Sequence, residues 1–429
     1  MLDIKLIRES SDIVRANLEK RGNPENLLML DELVALDKQW RLNLAGLNDL
    51  RHARKMATVE IAKLKKAGQD AQAQVEKAKE IDVQITSLEK QVAQEEEKER
   101  SLLLCLPNML DSTVPLGADD LGNVQVKTWG TIPVFNFQIK NHIDLANTLG
   151  IVDMERASKI SGARFFFLKN QLALLELALV SFAMHELSKK GYVAIEPPYM
   201  MTKAAYEGVT ALADFADVLY KIEGEDLYMI ATSEHPMAAM YMNEVIVEQD
   251  LPLKLAGLST CFRKEAGAHG KDTRGIFRTH QFNKIEQFIF CKPEDSAKFH
   301  EELLANAEDL LQKLELPYRV VNVCTGDIGT VAAKKYDIEV WMPAQSGYRE
   351  VVSCSNCTDY QARRLGVRYR EKEGAPPKGF LHTLNSTAVA TGRTLVALLE
   401  HNQNEDGSIN VPKVLRKYMG DFEKIDKNQ

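Results

Sequence analysis

The sequence predicts an α+β protein in which a long antiparallel helical arm precedes a domain built on an antiparallel sheet flanked by helices. Three observations predict it. Residues 1–110 carry heptad-spaced apolar residues and almost no aromatics, with Trp40 the single exception. A stretch rich in Pro, Gly, Asn and Asp, LPNMLDSTVPLGADDLGN at 106–123, then breaks the pattern. Beyond it, extended segments follow one another in hairpin-like succession rather than alternating strictly with helices.

Within the arm, every third and fourth position from 33 gives Leu33, Leu36, Trp40, Asn43, Leu47, Leu50, Arg54, Ala57, Ile61 and Leu64. All but Asn43 and Arg54 are apolar, as a coiled-coil seam requires. A second series, Ala71, Gln74, Ala78, Ile81, Ile85, Leu88 and Val92, departs only at Gln74. Gly68, in KKAGQD, is the natural break between them. Some 40 residues per helix at 1.5 Å each would reach roughly 60 Å. Such an arm is shaped to reach a partner rather than to fill a core.

The formal net charge is −7, so a polyanion would have to be held by local basic patches. One candidate lies on the first arm helix, where Arg51, Arg54, Lys55, Lys63, Lys65 and Lys66 face a single acid, Glu60. By charge alone this is equally a solvated helix face. The N-terminus, MLDIKLIRES, lacks the apolar core of a secretory signal. The most apolar run, 171–187, is interrupted by Glu176, His185 and Glu186 and reads as too short for a membrane span, hence as a buried or interface helix. A cytoplasmic protein without membrane association is the expectation. The six cysteines are scattered, and the lone pair Cys354-x-x-Cys357 has no second pair to complete a zinc site.

Extended segments are expected at YVAIEPPYM, LYMIATS, LKLAGLSTCFR, QFIFC, YRVVNVC, IEVWMP and YREVVSCS, with helices at 171–190 and 294–316. The segments predict an N-terminal domain, 1–110, a connecting segment, 111–170, and a second domain, 171–429.

The stretch CFRKEAGAHGKDTRGIFRTHQFNKIEQFIF, 261–290, places an arginine and an acid at a strand end, a glycine-rich basic loop, then a second strand bearing Phe282 and Glu286. This pattern resembles motif 2 of the class II aminoacyl-tRNA synthetases, and in its wording the seryl-tRNA synthetases. GYVAIEPP at 191–198 resembles motif 1, and TLNSTAVATGRTLVALLEHNQNEDGSINVP at 383–412 resembles motif 3. ATSEHP at 231–236 resembles the family's T-x-E substrate segment, and REVVSCSNCTDYQARR at 349–364 its E-V-x-S segment. With the arm, the resemblance covers essentially the whole chain. Taken singly, Arg263 beside Glu265 is a surface ion pair, Phe282 a core residue and Arg393 a helix-face charge; their order together is specific.

The resemblance implies ATP-dependent activation of L-serine, then transfer to tRNA-Ser, by a homodimer joined through motif 1. It leaves open whether tRNA-Sec is also a substrate. In-line attack on the α-phosphate needs positioning and charge neutralisation rather than a protein nucleophile. The implied ATP-binding residues are Arg263, Lys264, Glu265, Arg278, Thr279, Phe282, Glu350, Val351, Val352, Ser353 and Arg393. Among these, Arg263 would grip the α-phosphate, with Arg393 and Arg278 on the β- and γ-phosphates. Glu265 would accept from the adenine amino group, and Phe282 would stack on the base. Glu350 and Ser353 would hold Mg²⁺ through oxygen, as that cation prefers. The implied serine-binding residues are Thr232, Ser233, Glu234, Arg263, Glu286, Asn385 and Thr387, with Glu286 and Thr387 on the hydroxyl. The loop residues His269, Lys271 and Arg274 would meet the tRNA acceptor end, and the six basic arm residues its long variable arm.

Thr387 stands where the family often has serine. Lys264, Ser233 and the His-Pro after Glu234 depart from the commonest bacterial wording, so the subfamily stays open. Two alternatives are an aminoacyl ligase charging a carrier protein and an inactive paralogue that binds RNA.

Overall fold

The computed structural model describes residues 1–210, 218–265 and 275–427. It divides into two compact units, Met1–Pro107 and Asn108–Gln429.

In the first unit, short helices α1 (Ile4–Glu9) and α2 (Ser11–Glu19) precede the long helices α3 (Pro24–Lys66) and α4 (Gln72–Cys105). Asn23 caps α3 by accepting from the Glu25 amide, with Pro24 at the first helical position. Every position of both predicted seams is buried or half-buried. The 43-residue α3 ends as Gly68 takes φ +69°, and the Gln69 amide returns to the Leu64 carbonyl. The returning helix, at 34 residues, is shorter than expected. Its capping residue is Ala71, which makes no side-chain cap.

Polar and charged side chains are matched across the hairpin. Asn43 donates to Glu95 at 2.8 Å, Arg51 pairs with Glu89 at 2.8 Å and Arg54 with Asp82 at 2.6 Å. Buried Asp37 is held by Arg8 at 2.5 Å and Arg41 at 2.9 Å. Of the six basic arm residues, Arg51 and Arg54 are thus already engaged within the hairpin. Lys55, Lys63, Lys65 and Lys66 are exposed.

The second unit is built on an eight-stranded sheet. Its strands are β1 (Val124–Trp129), β2 (Val193–Ile195), β3 (Leu253–Phe262), β4 (Gln281–Cys291), β5 (Tyr318–Asn322), β6 (Lys334–Met342), β7 (Gly347–Asn356) and β8 (His382–Ala390). The order across the sheet is β1-β5-β6-β7-β8-β4-β3-β2. All neighbours are antiparallel except β2 and β3. The expected strand segments all contribute, in this sheet or in the small hairpin Met200–Thr202 with Leu227–Met229.

Helices α5 (Asn170–Lys189), α7 (Ser296–Lys313) and α8 (Thr391–His401) cover the sheet. Leu175, Leu179 and Phe182 of α5, Leu303 and Leu310 of α7, and Leu395 and Leu398 of α8 join Ile285, Ile289, Ile338 and Leu384 in the main core. A second cluster beneath Phe288 and Phe290 packs Tyr206, Ile230, Met237 and Leu365. Helix α5 corrects one expectation. At 20 residues it is long and apolar enough by composition to cross a membrane, yet its buried face is part of the domain core. Its other face leaves Leu174 and Leu177 exposed.

Candidate active site

Strands β3 and β4 pair in unbroken register from Leu253↔Phe290 to Phe262↔Gln281, and β8 lies on the other side of β4 with Thr387 opposite Glu286. Period-two alternation therefore puts Phe282, Lys284 and Glu286 on one face of β4. That face floors a cavity of about 480 Å³. Glu286 lies between Gly257 on β3 and Thr387 on β8. A Cβ at Gly257 would come within 2.7 Å of the Met237 side chain and 3.1 Å of Ser233 Cβ. Glycine there lets the segment carrying Thr232 and Glu234 close over the sheet.

Arg263 leaves the end of β3. Its amide donates to the His280 carbonyl at 2.9 Å, and its Nε donates to the Ala231 carbonyl at 3.1 Å. The guanidinium lies over the Phe282 ring, 5.4 Å from its centroid. One edge of the fork is thus tied to the backbone, which fixes the plane of the rest. Two residues on, Glu265 adopts φ +49°, a region costly for a residue with a Cβ. Arg164 holds its carbonyl at 3.1 Å, and Arg278 pairs with its carboxylate at 3.0 Å.

Across the cavity, Arg393 occupies the first turn of α8. It donates to the Glu350 carbonyl at 2.7 Å and approaches the Glu350 carboxylate at 3.3 Å. Arg393 and Arg349 both lie over the Phe277 ring, at 5.2 and 5.0 Å. Helix α8 is seated by Thr391, whose hydroxyl donates to Glu176 of α5 at 2.6 Å. Partial desolvation would raise the Glu350 carboxyl, but the charges of Arg393 and Lys335 outweigh it and hold the group below its usual range. Glu350 and Ser353 offer a carboxylate and a hydroxyl at the same end of the cavity. No cluster of three or more His, Cys, Asp or Glu side chains suited to a metal occurs among the described residues.

The other end is small and polar. Glu286, 1% exposed, receives Lys284 Nζ at 2.5 Å and the Thr387 hydroxyl at 3.3 Å, both on Oε2. Glu234 accepts from Gln361 at 3.0 Å, and Gln361 in turn accepts from Thr383 at 2.7 Å. Removal from water, with Glu286 nearby, pushes the Glu234 carboxyl up to about 7. Burial holds His235 down at about 3, so it is neutral, and its Nδ1 lies 3.2 Å from the Tyr206 hydroxyl. Asn385 lines the wall and donates to Cys357 Sγ at 3.6 Å.

Most of the expected site residues thus line one cavity: Arg263, Glu265, Arg278, Thr279, Phe282, Glu350, Val351, Ser353 and Arg393 with Thr232, Glu234, Glu286, Asn385 and Thr387. Three do not. Ser233 is fully buried and donates to the Gly257 carbonyl at 3.0 Å. Val352 alternates into the core, and Lys264 extends over the Tyr220 ring instead. Strand alternation explains Val352, whose neighbours 351 and 353 face the cavity; Ser233 caps a helix in αR conformation and Lys264 lies beyond the end of β3. His269, Lys271 and Arg274 lie outside the described residues.

Lys284, Lys335 and Phe277 also line the cavity but were not singled out in the sequence. Lys284 was legible, since it stands two residues before Glu286 on a strand. Lys335 and Phe277 carried no local signal, because only strand pairing and α8 bring them to the site.

Comparison with known proteins fixes the family. Residues 1–110 match the seryl-tRNA synthetase N-terminal domain, and residues 219–402 the class II tRNA synthetase core domain of the G, H, P, S and T enzymes. The serine–tRNA ligase of Methanocella arvoryzae is 55% identical over 99% of this chain and 100% of its own. The chain is a seryl-tRNA synthetase family member. The crystal structure of the Pyrococcus horikoshii seryl-tRNA synthetase complexed with ATP superposes with a TM-score of 0.95 at 48% identity, covering 100% of both chains. The cytoplasmic serine–tRNA ligase of Naegleria fowleri, complexed with AMP, gives 0.90 at 36%, covering 100% of this chain and 99% of that one. As a seryl-tRNA synthetase, the protein binds ATP, activates L-serine to seryl-adenylate and transfers the seryl group to the 3′-terminal adenosine of tRNA-Ser.

Proposed function

We propose that the cavity holds ATP and serine side by side, with Arg263 at their junction. The observation that carries this is the shared cavity of Arg263 and Arg393, which is also lined by a buried acid and a buried hydroxyl, Glu286 and Thr387. Arg263 directs its untethered guanidinium edge at the α-phosphate and the serine carboxylate, neutralising charge as the pentacoordinate centre forms. Arg393 and Arg278 hold the β- and γ-phosphates. Glu265 accepts from the adenine amino group, and Phe282 supplies a stacking face. Arg278, paired with Glu265, exchanges that pair for phosphate when ATP enters.

Thr232, Glu234 and Asn385 take the serine ammonium, and Glu286 with Thr387 the hydroxyl. Alanine would leave those two buried polar groups unpaired, which is a strong basis for discrimination. The ionised Glu350 carboxylate and the Ser353 hydroxyl suit Mg²⁺, a hard cation that keeps water and phosphate as its other ligands. Bound there, Mg²⁺ would neutralise charge on the departing pyrophosphate.

The arm, residues 1–110, binds tRNA through shape and backbone, with the exposed Lys55, Lys63, Lys65 and Lys66 among its cations. The exposed Leu174 and Leu177 of α5, with Val193 of β2, form a homodimer interface. On this reading the enzyme works in the cytoplasm, away from membranes. Serine-dependent ATP–pyrophosphate exchange, run across the twenty amino acids, tests the substrate assignment. Preferred exchange with another amino acid would overturn it.

A further inference from the structure

Glu286 is taken almost wholly out of water and set near a second carboxylate, Glu234, that also faces the cavity. Two carboxylates in one poorly solvated pocket raise each other's proton affinity. A protonated Glu286 would present a donor where the substrate hydroxyl brings its own. The fold answers with Lys284, two residues earlier on the same face of β4, 2.5 Å from Glu286 Oε2. Lysine is rarely buried this deeply; its side chain is 8% exposed. Both protein contacts of the Glu286 carboxylate, from Lys284 and Thr387, fall on Oε2. Oε1 makes no hydrogen bond among the described residues.

We propose that Lys284 is a positioning residue for serine selection, which locks Glu286 by Oε2 as an ionised acceptor and leaves Oε1 for the substrate hydroxyl. The proposal rests on the reading of this end of the cavity as the serine site. It also divides labour between the two acids. Lys284 already neutralises Glu286, whereas the side-chain partner of Glu234 is the uncharged Gln361. The substrate ammonium is therefore left to Glu234.

The groups around Glu286 are few. Lys284 shares its strand, Cys261 and Arg263 come from β3 and its end, and Cys354 from β7. Glu234 comes from helix α6 (Glu234–Ala239), and the Thr387 hydroxyl from β8. Among the described residues, Lys284 is the one cation in ion-pair contact with Glu286. Burial already lifts the Glu286 carboxyl above its ordinary range against the pull of Lys284 and Arg263. Without the ammonium, both acids move higher, and serine must expel a proton from each instead of from Glu234 alone.

The test is Lys284→Met, with Lys284→Arg as the conservative variant and Glu286→Gln as the control on the pocket. Serine-dependent ATP–pyrophosphate exchange is followed from pH 6 to 9, and calorimetry in buffers of different ionisation heat counts the protons released when serine binds. Lys284→Met is expected to raise the serine KM about 10- to 100-fold, the range for one hydrogen bond to a charged group. The ATP KM stays within about twofold, which also shows that the ATP end remains folded. Plotted against pH, log kcat/KM for serine steepens from a slope near one toward two, and about one further proton leaves on binding near neutrality. Alanine loses less than serine, and Lys284→Arg recovers most of the native profile.

An unchanged serine KM and unchanged proton count in Lys284→Met, while Glu286→Gln still weakens serine, would overturn the role of Lys284 alone. A Glu286→Gln enzyme with native serine KM would instead overturn the serine site itself. If Lys284→Met does not fold, Lys284→Arg carries the test: a serine profile as impaired as that of Glu286→Gln would contradict the proposal.

Discussion

Replacing Arg263 by lysine separates a positioned fork from a mere positive charge. The arginine Nε is bonded to the Ala231 carbonyl at 3.1 Å, and the ring of Phe282 lies under its guanidinium at 5.4 Å. These contacts leave the two terminal nitrogens to face the cavity. Lysine keeps the charge but cannot anchor to Ala231 and donate in two parallel directions at once. Each hydrogen bond to a charged group is worth about 1.5–3 kcal/mol. Losing one phosphate contact and the anchor of the other should cost about 2–4 kcal/mol in the transition state, or about 30- to 1000-fold in kcat/KM. Arg263→Ala, which loses both contacts, should fall by about 3–6 kcal/mol. The one side-chain hydrogen bond that Arg263 makes among the described residues is too little to unfold the domain, so circular dichroism and the thermal midpoint should stay close to native. The assay is serine-dependent ATP–pyrophosphate exchange at saturating Mg²⁺. Exchange by Arg263→Lys within about threefold of native would refute the bidentate role.

Thr387→Val preserves shape and removes the hydroxyl facing Glu286, 3.3 Å away; serine activation should fall about 10-fold or more with alanine little affected, measured as the ratio of the two kcat/KM values. In the proposed site Glu234 must be ionised to receive an ammonium, and removal from water pushes its carboxyl up to about 7. The native kcat/KM for serine should therefore drop about tenfold per pH unit below neutrality and level off above pH 8, and a flat profile from pH 6 to 8 would contradict it. Deleting residues 30–100 should spare serine activation and abolish tRNA charging, because the residues that line the cavity all lie in the second compact unit, Asn108–Gln429. Normal aminoacylation by the shortened chain would refute the arm's role.

Much of the fold was legible because its signals are local. Heptad spacing fixed the two seams of the arm down to individual residues, and Gly68 marked the turn between them. Helix lengths were less legible, since α4 starts at Gln72 without a side-chain cap and so carried no start signal. The strands were visible as β-branched and aromatic runs between breakers. Their order across the sheet was not, because it depends on which distant edges pair. The site followed the same division. Arg263, Phe282, Glu286 and Arg393 stand in contiguous wording, whereas Lys335 and Phe277 reach the cavity only through tertiary pairing. Ser233, Lys264 and Val352 stand in the same wording without lining the cavity, because a motif names consecutive residues whether or not their side chains share a face. Arg51 and Arg54 were marked as tRNA contacts by charge, and cross-helix acids 28 and 38 residues away could not be weighed until the hairpin was closed.

The central claim is that one cavity orients serine against the α-phosphate, with Arg263 between them. A crystal structure with a non-hydrolysable seryl-adenylate analogue tests it most directly. The account predicts the phosphate surrogate within about 3.2 Å of the Arg263 terminal nitrogens, and the serine hydroxyl at a similar distance from Glu286 and Thr387. An analogue bound with its hydroxyl away from Glu286, or with Arg263 turned from the phosphate surrogate, would contradict it.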